Sequence, residues 1–362
     1  MTGPVSGVHG FDAICVASYG GPRKPEDVLP FMRNATRGRG IPDERLVEVS
    51  GHYMLFGGAS PINERNAELM DALRAELARR GVELPIVIGN RNWTPYLRDT
   101  LAELAASGAK RVLVLTTAAY ASYSGCRQYR EDLAGALADS GADLELVKVG
   151  PFAETDGFVD ANADAVRAAL AAAERTPRVL FVTHSIPTAM NGASGPGPTG
   201  PSGERANTYA EQHLRVAAAV ASAVGLPDDQ WEIAYCSRSG APHIPWLEPD
   251  VNDRIIELAA EGVDSVVTVP FGFINDHMEV VYDLDTQARE TAEGLGVAYV
   301  RAATVGVHPA FVSMLADAVM AAAPGRVGGV RTCHATCCLS GRPGAPLPAA
   351  CSTEASTDPV TD

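Results

Sequence analysis

Residues 178–187 read Arg178-Val179-Leu180-Phe181-Val182-Thr183-His184-Ser185-Ile186-Pro187. The apolar run is too short for a buried helix and reads as a strand covered on both faces. It stops at a histidine, and Pro187 then keeps regular structure from continuing. Outward from this stretch, short apolar runs alternate with amphipathic helical stretches, the pattern of a parallel sheet flanked by helices. Strands are predicted at 13–17, 86–89, 111–116 and 144–149, and again at 178–183, 231–236, 265–269 and 298–301. Helices are predicted at 63–80, 95–107 and 127–140 in the first half, and at 156–173, 209–224, 251–260, 276–295 and 309–323 in the second. The first helix runs into Gly81, which suits a C-terminal cap with positive φ. The reading is an α/β chain of two doubly wound lobes, 8–150 and 151–325, each with four parallel strands. A cysteine-containing tail, 326–362, follows, and its end is expected to be disordered.

In such sheets ligands sit beyond the carboxyl ends of the strands. That rule selects the loops 18–22, 183–187 and 270–277. The Gly195-x-Gly197-x-x-Gly200 phrase is nominally a dinucleotide fingerprint. It is rejected, because Pro196, Pro198 and Pro201 remove backbone donors and no strand leads into the glycines.

The chain has 362 residues, 46% hydrophobic and 20% charged, with a net charge of −15. That balance argues against a nucleic-acid surface and against docking on an anionic membrane. Residues 1–10 lack the basic and apolar regions of a signal peptide. The longest uncharged apolar run, 216–226, falls short of the roughly 20 residues that span a bilayer. A cytoplasmic protein is expected, and a monomer, since no exposed apolar helix stands out. Seven cysteines, an odd number, fit reduced, catalytic or metal-bound thiols better than disulfides. Cys15, Cys126 and Cys236 are scattered, whereas Cys333, Cys337, Cys338 and Cys351 crowd the tail.

Several residues carry candidate chemistry. His184 reads either as a satisfied histidine closing the sheet or as a general base or metal ligand at a strand end. Pro270 to Glu279 occupies the matching place in the second half, where Asn275 or Asp276 is expected to cap the next helix. Glu279 and Asp283 then stand at i and i+4. Like charges so placed cost a few tenths of a kcal/mol. They form either a solvated acidic face or a carboxylate row that passes protons or cations into the cleft. Thr36-Arg37-Gly38-Arg39-Gly40 and Gly57-Gly58-x-Ser60-Pro61, with Tyr53, suit an anionic ligand such as a carboxylate, or a plain solvated turn.

Taken in order, eight phrases resemble the ferrochelatase family over nearly the whole chain. They are Ser18-Tyr19-Gly20-Gly21-Pro22, Thr36-Arg37-Gly38-Arg39, His52-Tyr53-x-x-Phe56-Gly57-Gly58-x-Ser60-Pro61 and Tyr123-Ser124-Gly125-Cys126. Then come Thr183-His184-Ser185-Ile186-Pro187, Ser237-Arg238-x-Gly240-x-Pro242, Pro245-Trp246-Leu247-x-Pro249 and Phe273-x-x-Asp276-His277-x-Glu279-x-x-Tyr282-Asp283. The resemblance implies two Rossmann-like lobes with a porphyrin in the cleft and insertion of Fe²⁺ into it. It implies that His184 faces the macrocycle with Glu279 as its acidic partner. Both would be catalytic and would meet the incoming iron, with Asp283 on its transit path. Tyr19 would lie on the opposite porphyrin face. Arg37, Arg39, Tyr53, Ser60 and Tyr123 would contact propionates, and Trp246 would line the ring.

The chemistry is consistent with this, since a neutral imidazole at His184 can take a pyrrole proton and Glu279 can stabilise the imidazolium. The phrases 36–42 and 120–126 resemble the actinobacterial branch, which implies coproporphyrin III as substrate and coprohaem as product in haem b biosynthesis. Cys236 departs from the glutamine of many relatives, and the Gly/Pro loop after His184 is long.

In the tail, Cys333-x-x-x-Cys337-Cys338 offers three close thiols. Tetrahedral zinc usually takes two separated pairs, and only one is present. A [2Fe–2S] cluster needs four thiolates, and the resemblance implies Cys126 as the fourth, with Cys351 in reserve and a structural role. Competing readings are a protoporphyrin IX ferrochelatase, a cobalt or nickel chelatase acting on a sirohydrochlorin-type ring, a non-catalytic haem-binding protein, and an iron–sulfur redox sensor. Binding alone needs no proton acceptor, so His184 with Glu279 counts against the passive readings.

Overall fold

The apolar runs become strands because their side chains find cover on both faces: β1 (Ala13–Ser18) and β7 (Ser265–Val269) bury every residue. The computed structural model describes residues 10–38, 40–195, 207–240, 243–323, 326–327, 337–341 and 346–351. In the first lobe β1 lies between β2 (Ile86–Asn90) and β3 (Arg111–Thr116), and β4 (Glu145–Lys148) pairs with β3. The second lobe repeats the order, with β5 (Arg178–His184) between β6 (Trp231–Cys236) and β7, and β8 (Ala298–Arg301) beyond. Every pairing in these two four-stranded sheets is parallel. The doubly wound α/β reading therefore holds.

The helices are α1 (Pro25–Ala35), α2 (Asp43–Met54), α3 (Ile62–Arg79), α4 (Leu97–Ala106), α5 (Gln128–Ser140) and α6 (Asp156–Ala172). The second half has α7 (Thr188–Gly192), α8 (Tyr209–Val224), α9 (Val251–Ala260), α10 (Met278–Tyr282), α11 (Arg289–Gly294) and α12 (Pro309–Ala321). Gly81, at φ +80°, follows α3 as expected of a cap. Three features differ from the sequence reading. The connection after β1 contains α1 and α2; α1 opens on Pro25 with Glu26 and Asp27 in its first turn, a favourable start. The helix expected over 276–295 is three segments, with π-helical residues Asp283–Ala288 between α10 and α11. A second π-helical turn, Tyr123–Arg127, leads into α5.

One apolar core serves both lobes. It takes Ile14 and Leu113 from the first sheet and Val179, Phe181 and Val267 from the second. Leu73 of α3, Phe158 of α6 and Phe311 of α12 close it, the last two rings 6.0 Å apart. Buried polar ties cross the same boundary. Asn275 donates to Asn66 Oδ1 (3.1 Å), and Asn66 donates to Ser18 Oγ (2.8 Å). Gln212 exchanges two hydrogen bonds with the Ala121 backbone. The tail docks on buried arginines of the first lobe: Arg127 donates to the Leu347 carbonyl at 2.7 Å and Arg130 to that of Ala350 at 2.9 Å.

Truncating Phe158 to alanine should cost about 3–5 kcal/mol, the usual range for a buried phenylalanine. Because the core is shared, amide hydrogen exchange in β1 and β5 should accelerate together. Loss of protection in one sheet only would contradict a common core.

Candidate active site

The site is built where the strands end. His184 is the last residue of β5, and the next residues are held from the side by the segment before α9. Ser185 N donates to the Cys236 carbonyl (2.8 Å), Ser185 Oγ to that of Leu247 (2.7 Å), and Leu247 N to that of Ile186 (3.0 Å). Pro187 pairs with Trp246. These contacts fix the backbone on which the imidazole is carried. Its Nδ1 hydrogen-bonds the Ser185 carbonyl, so Nε2 points to Glu279, 3.7 Å from Oε2.

Glu279 stands in the first turn of α10, in front of two histidines. The N-cap of α10 is His277, whose Nδ1 accepts from Glu279 N at 3.2 Å. Neither Asn275 nor Asp276 takes the expected capping role. Asn275 is used between the lobes, and both oxygens of Asp276 bind Arg301 at 3.1 and 3.0 Å.

The electrostatics of the row follow from this geometry. Burial works against a charged His184, but the Glu279 carboxylate and the Ser185 carbonyl outweigh it and push the imidazole up to about 9. The resting pair is therefore an imidazolium facing a carboxylate at neutral pH, which corrects the expectation of a free neutral base. With the folded value raised, the pair adds stability below the ordinary histidine value of about 6.5, lost as pH rises through about 9. His277 is shifted the other way, downward, by burial and by the neighbouring His184, against the pull of Glu279. Asp283 accepts a hydrogen bond from Ser237, a residue held in the left-handed region at φ +60°. Burial and the nearby Glu279 charge push Asp283 up to about 6.

The first lobe supplies an aromatic wall. Phe31 of α1 takes edge contacts from Tyr19, Tyr53 and Trp93 at 6.1, 6.1 and 6.2 Å. The buried Arg91 guanidinium lies over Tyr19 and Tyr129 and pairs with Asp132. Burial, with the charge of Glu279 and the neighbouring Tyr19, raises the Tyr53 hydroxyl well above the phenol range, so this wall lies within electrostatic reach of the carboxylate. Across the two lobes, His52 of α2 stacks on Tyr282 of α10 with ring centroids 3.8 Å apart. Ser60 is buried against the 18–22 loop, and a Cβ on Gly21 would approach Ser60 Cβ to 2.7 Å.

Of the residues named from the sequence, His184, Glu279 and Asp283 come together in the second lobe, and Tyr19 and Tyr53 both pack on Phe31 in the first. Arg37 is exposed and donates to Asn34 Oδ1 (2.6 Å); Arg39 lies outside the described residues. Tyr123 sits on the π-helical turn and donates to Glu131 at 3.0 Å. Trp246 lies beside Pro187, its buried Nε1 without a hydrogen-bond partner among the described residues. Cys337 and Cys338 are buried with Ala121, their sulfurs 3.5 Å apart, and Cys126 is buried on the π-helical turn two residues beyond Ser124. Cys351 Sγ lies 3.2 Å from the Leu146 carbonyl. Cys333 lies outside the described residues, among which no three His, Cys, Asp or Glu side chains form a group that could hold a metal ion.

Sequence reasoning missed Phe31, Arg91 and Trp93 of the wall and the role of His277. Arg91 and Trp93 directly follow β2, so the strand-end rule could have found them. No helix among the described residues is long and apolar enough to cross a membrane.

The family model for ferrochelatase matches residues 11–323. A Streptomyces coelicolor protein named coproporphyrin III ferrochelatase is 50% identical, the match covering 92% of this chain and 90% of that protein. A Leifsonia xyli protein of the same name is 48% identical over 88% of this chain and 85% of its own. The solved structure of SirB from Bacillus subtilis with Fe³⁺ aligns at a TM-score of 0.48 and 11% identity, covering 84% of this chain and 92% of that one. With a family match that runs from the start of β1 to the end of the second lobe, this chain belongs to the ferrochelatase family.

Proposed function

We propose that this chain inserts Fe²⁺ into coproporphyrin III, releasing two protons and forming the iron complex of the same ring. The observation that carries the reading is the His184–Glu279 pair at the end of β5, set against the Tyr19–Phe31–Tyr53 wall. The name borne by the relatives supports the choice of ring. Insertion must strip two pyrrole N–H protons while a dication arrives. In the resting site His184 already holds a proton. The charge of the arriving Fe²⁺ opposes the imidazolium and drives that proton towards Glu279 and Asp283, the latter titrating at about 6. His184 is then free to accept a pyrrole proton. Arg37, whose guanidinium has no carboxylate partner among the described residues, offers its charge to a propionate, with Arg39, Tyr53, Ser60 and Tyr123 as further contacts and Trp246 beside the ring.

The tail is proposed to hold a [2Fe–2S] cluster through Cys126, Cys333, Cys337 and Cys338, with Cys351 in reserve. What supports it is that Cys337 and Cys338, their sulfurs 3.5 Å apart, are buried with Ala121, two residues before the π-helical turn that carries Cys126. Burial pushes the Cys351 thiol up, against the nearby cations of Lys148 and Arg130, which suits a reserve rather than a primary ligand. When bound, such a cluster supplies a cross-link between the tail and the first lobe. Arg127 and Arg130 already grip the tail backbone there.

Anaerobic mixing of the protein with Fe²⁺ and coproporphyrin III should convert the four-banded free-base spectrum to that of the metallated ring. The rate per bound ring should exceed that with protoporphyrin IX. His184→Ala should lose at least about 100-fold in turnover, the usual scale for removing a general base, while still binding the ring. For the wild type, kcat/KM should rise with pH towards a limb near 9, because the imidazolium must be discharged. Glu279→Gln should lower the maximum and move the limb down to about 6.5 or below. A limb that Glu279→Gln leaves in place would show that another group titrates. A higher kcat/KM with protoporphyrin IX would overturn the choice of ring.

Protein purified without oxygen should be red-brown and carry about two non-haem irons per chain. Cys126→Ser should bleach it and lower its melting temperature, whereas Cys15→Ser should do neither to the colour nor the iron count. Colourless, iron-free wild-type protein would refute the cluster and leave the chelatase reading untouched.

A further inference from the structure

The side chains that face each other in the site belong to two loops, one after β5 and one after β7, and the structure shows what holds these loops at their spacing. The turn Phe271-Gly272-Phe273 leaves β7 and passes directly over the end of β5, with Gly272 N donating to the Val182 carbonyl at 3.3 Å. Gly272 is not in the left-handed region, so its backbone does not require glycine. Space does. A Cβ there would stand 2.5 Å from Thr183 Cβ and 2.8 Å from Thr183 Cα, with Thr183 Oγ1 nearer still.

Thr183 cannot swing aside. Its hydroxyl lies 2.7 Å from the Tyr209 hydroxyl and 2.9 Å from His213 Nε2, and all three residues are buried. The proton order on this knot is determined. His213 Nδ1 faces the Tyr209 carbonyl at 2.7 Å and must donate to it. Burial pushes this imidazole down to about 3, so it is neutral and Nε2 can only accept. Thr183 therefore donates to His213, and the one proton of the Tyr209 hydroxyl is shared between Thr183 Oγ1 and the His184 carbonyl, 3.1 Å away. Tyr120 of the first lobe stacks on His213 at 3.5 Å and donates to the Phe271 carbonyl at 3.3 Å, pinning the same knot from the other side.

We propose that Gly272 and Thr183 form a matched spacer, with Thr183 locked by Tyr209 and His213, that sets the separation of His184 and Glu279. They are positioning residues, and the inference rests on the chelatase reading. His184 follows Thr183 directly, and Glu279 lies seven residues beyond Gly272, in the first turn of α10. Thickening the spacer has to lift the second loop off β5 and widen the gap between the paired groups.

Gly272→Ala should lower kcat for Fe²⁺ insertion at least about tenfold, since misplacement by about 1 Å can cost on the order of 100-fold. KM for coproporphyrin III should stay within about threefold, because the ring-binding wall is untouched. Wild-type kcat in Gly272→Ala would overturn the proposal. Should Gly272→Ala fail to fold, Thr183→Val decides. It keeps the shape but loses the lock, and should drop kcat by about tenfold with recovery in Thr183→Ser. Wild-type kcat in Thr183→Val would overturn the spacer equally. The wild-type chain in the same assay separates the two levels, because a wild type that does not metallate the ring defeats the chelatase reading itself.

Discussion

One apolar core shared by two parallel sheets is the constraint on which the rest of this molecule depends. Because β1 and β5 bury side chains into the same cluster, the carboxyl ends of both sheets are held in fixed relation. Protein interiors pack at crystal-like density and pass displacements on with little loss. The buried Asn275–Asn66–Ser18 chain and the Gln212–Ala121 pair add direction to that contact, since each leaves a desolvated polar group if the lobes slide. The two lobes are thus held as one body by the core they share.

At the end of β5 this rigidity is turned into chemistry. An imidazole and a carboxylate held 3.7 Å apart in a half-buried place bind a proton more tightly than either does in water. Such a pair holds its proton at rest and releases it when positive charge arrives. That behaviour suits a reaction whose second reactant is a dication. Asp283, one turn further on, is pushed up to about 6 by burial and by the Glu279 charge. In the first lobe Tyr19, Tyr53 and Trp93 pack edge-on around the buried Phe31.

The strands, their parallel order and the three strand-end loops were legible in the sequence, because a fully buried strand has to be a short apolar run and a turn residue has to end it. His184 was legible as a polar residue where such a run stops, and Glu279 with Asp283 as like charges at i and i+4 on the helix that follows. Other features have no comparable signal. Pro30 and the nearby glycines hid α1 and α2, whose amphipathic faces are short. The π-helical stretch after Tyr282 differs from an α-helix only in hydrogen-bond register, which periodicity over six residues does not reveal. The proton held at rest by His184 depends on a distance between residues far apart in the chain, so composition and spacing are silent about it. Phe31 and His277 were passed over because an aromatic on a helix and a histidine before a glutamate look like core and cap. His277 is in fact the cap, and it also faces the carboxylate.

The most direct test of the account is a crystal structure of the chain with coproporphyrin III bound. The ring should lie between the lobes, with one face on the Tyr19–Phe31–Tyr53 wall, the other towards His184 Nε2, and the propionates towards the Arg37 side. A ring bound outside the cleft, or one with His184 turned away from its nitrogens, would contradict the account.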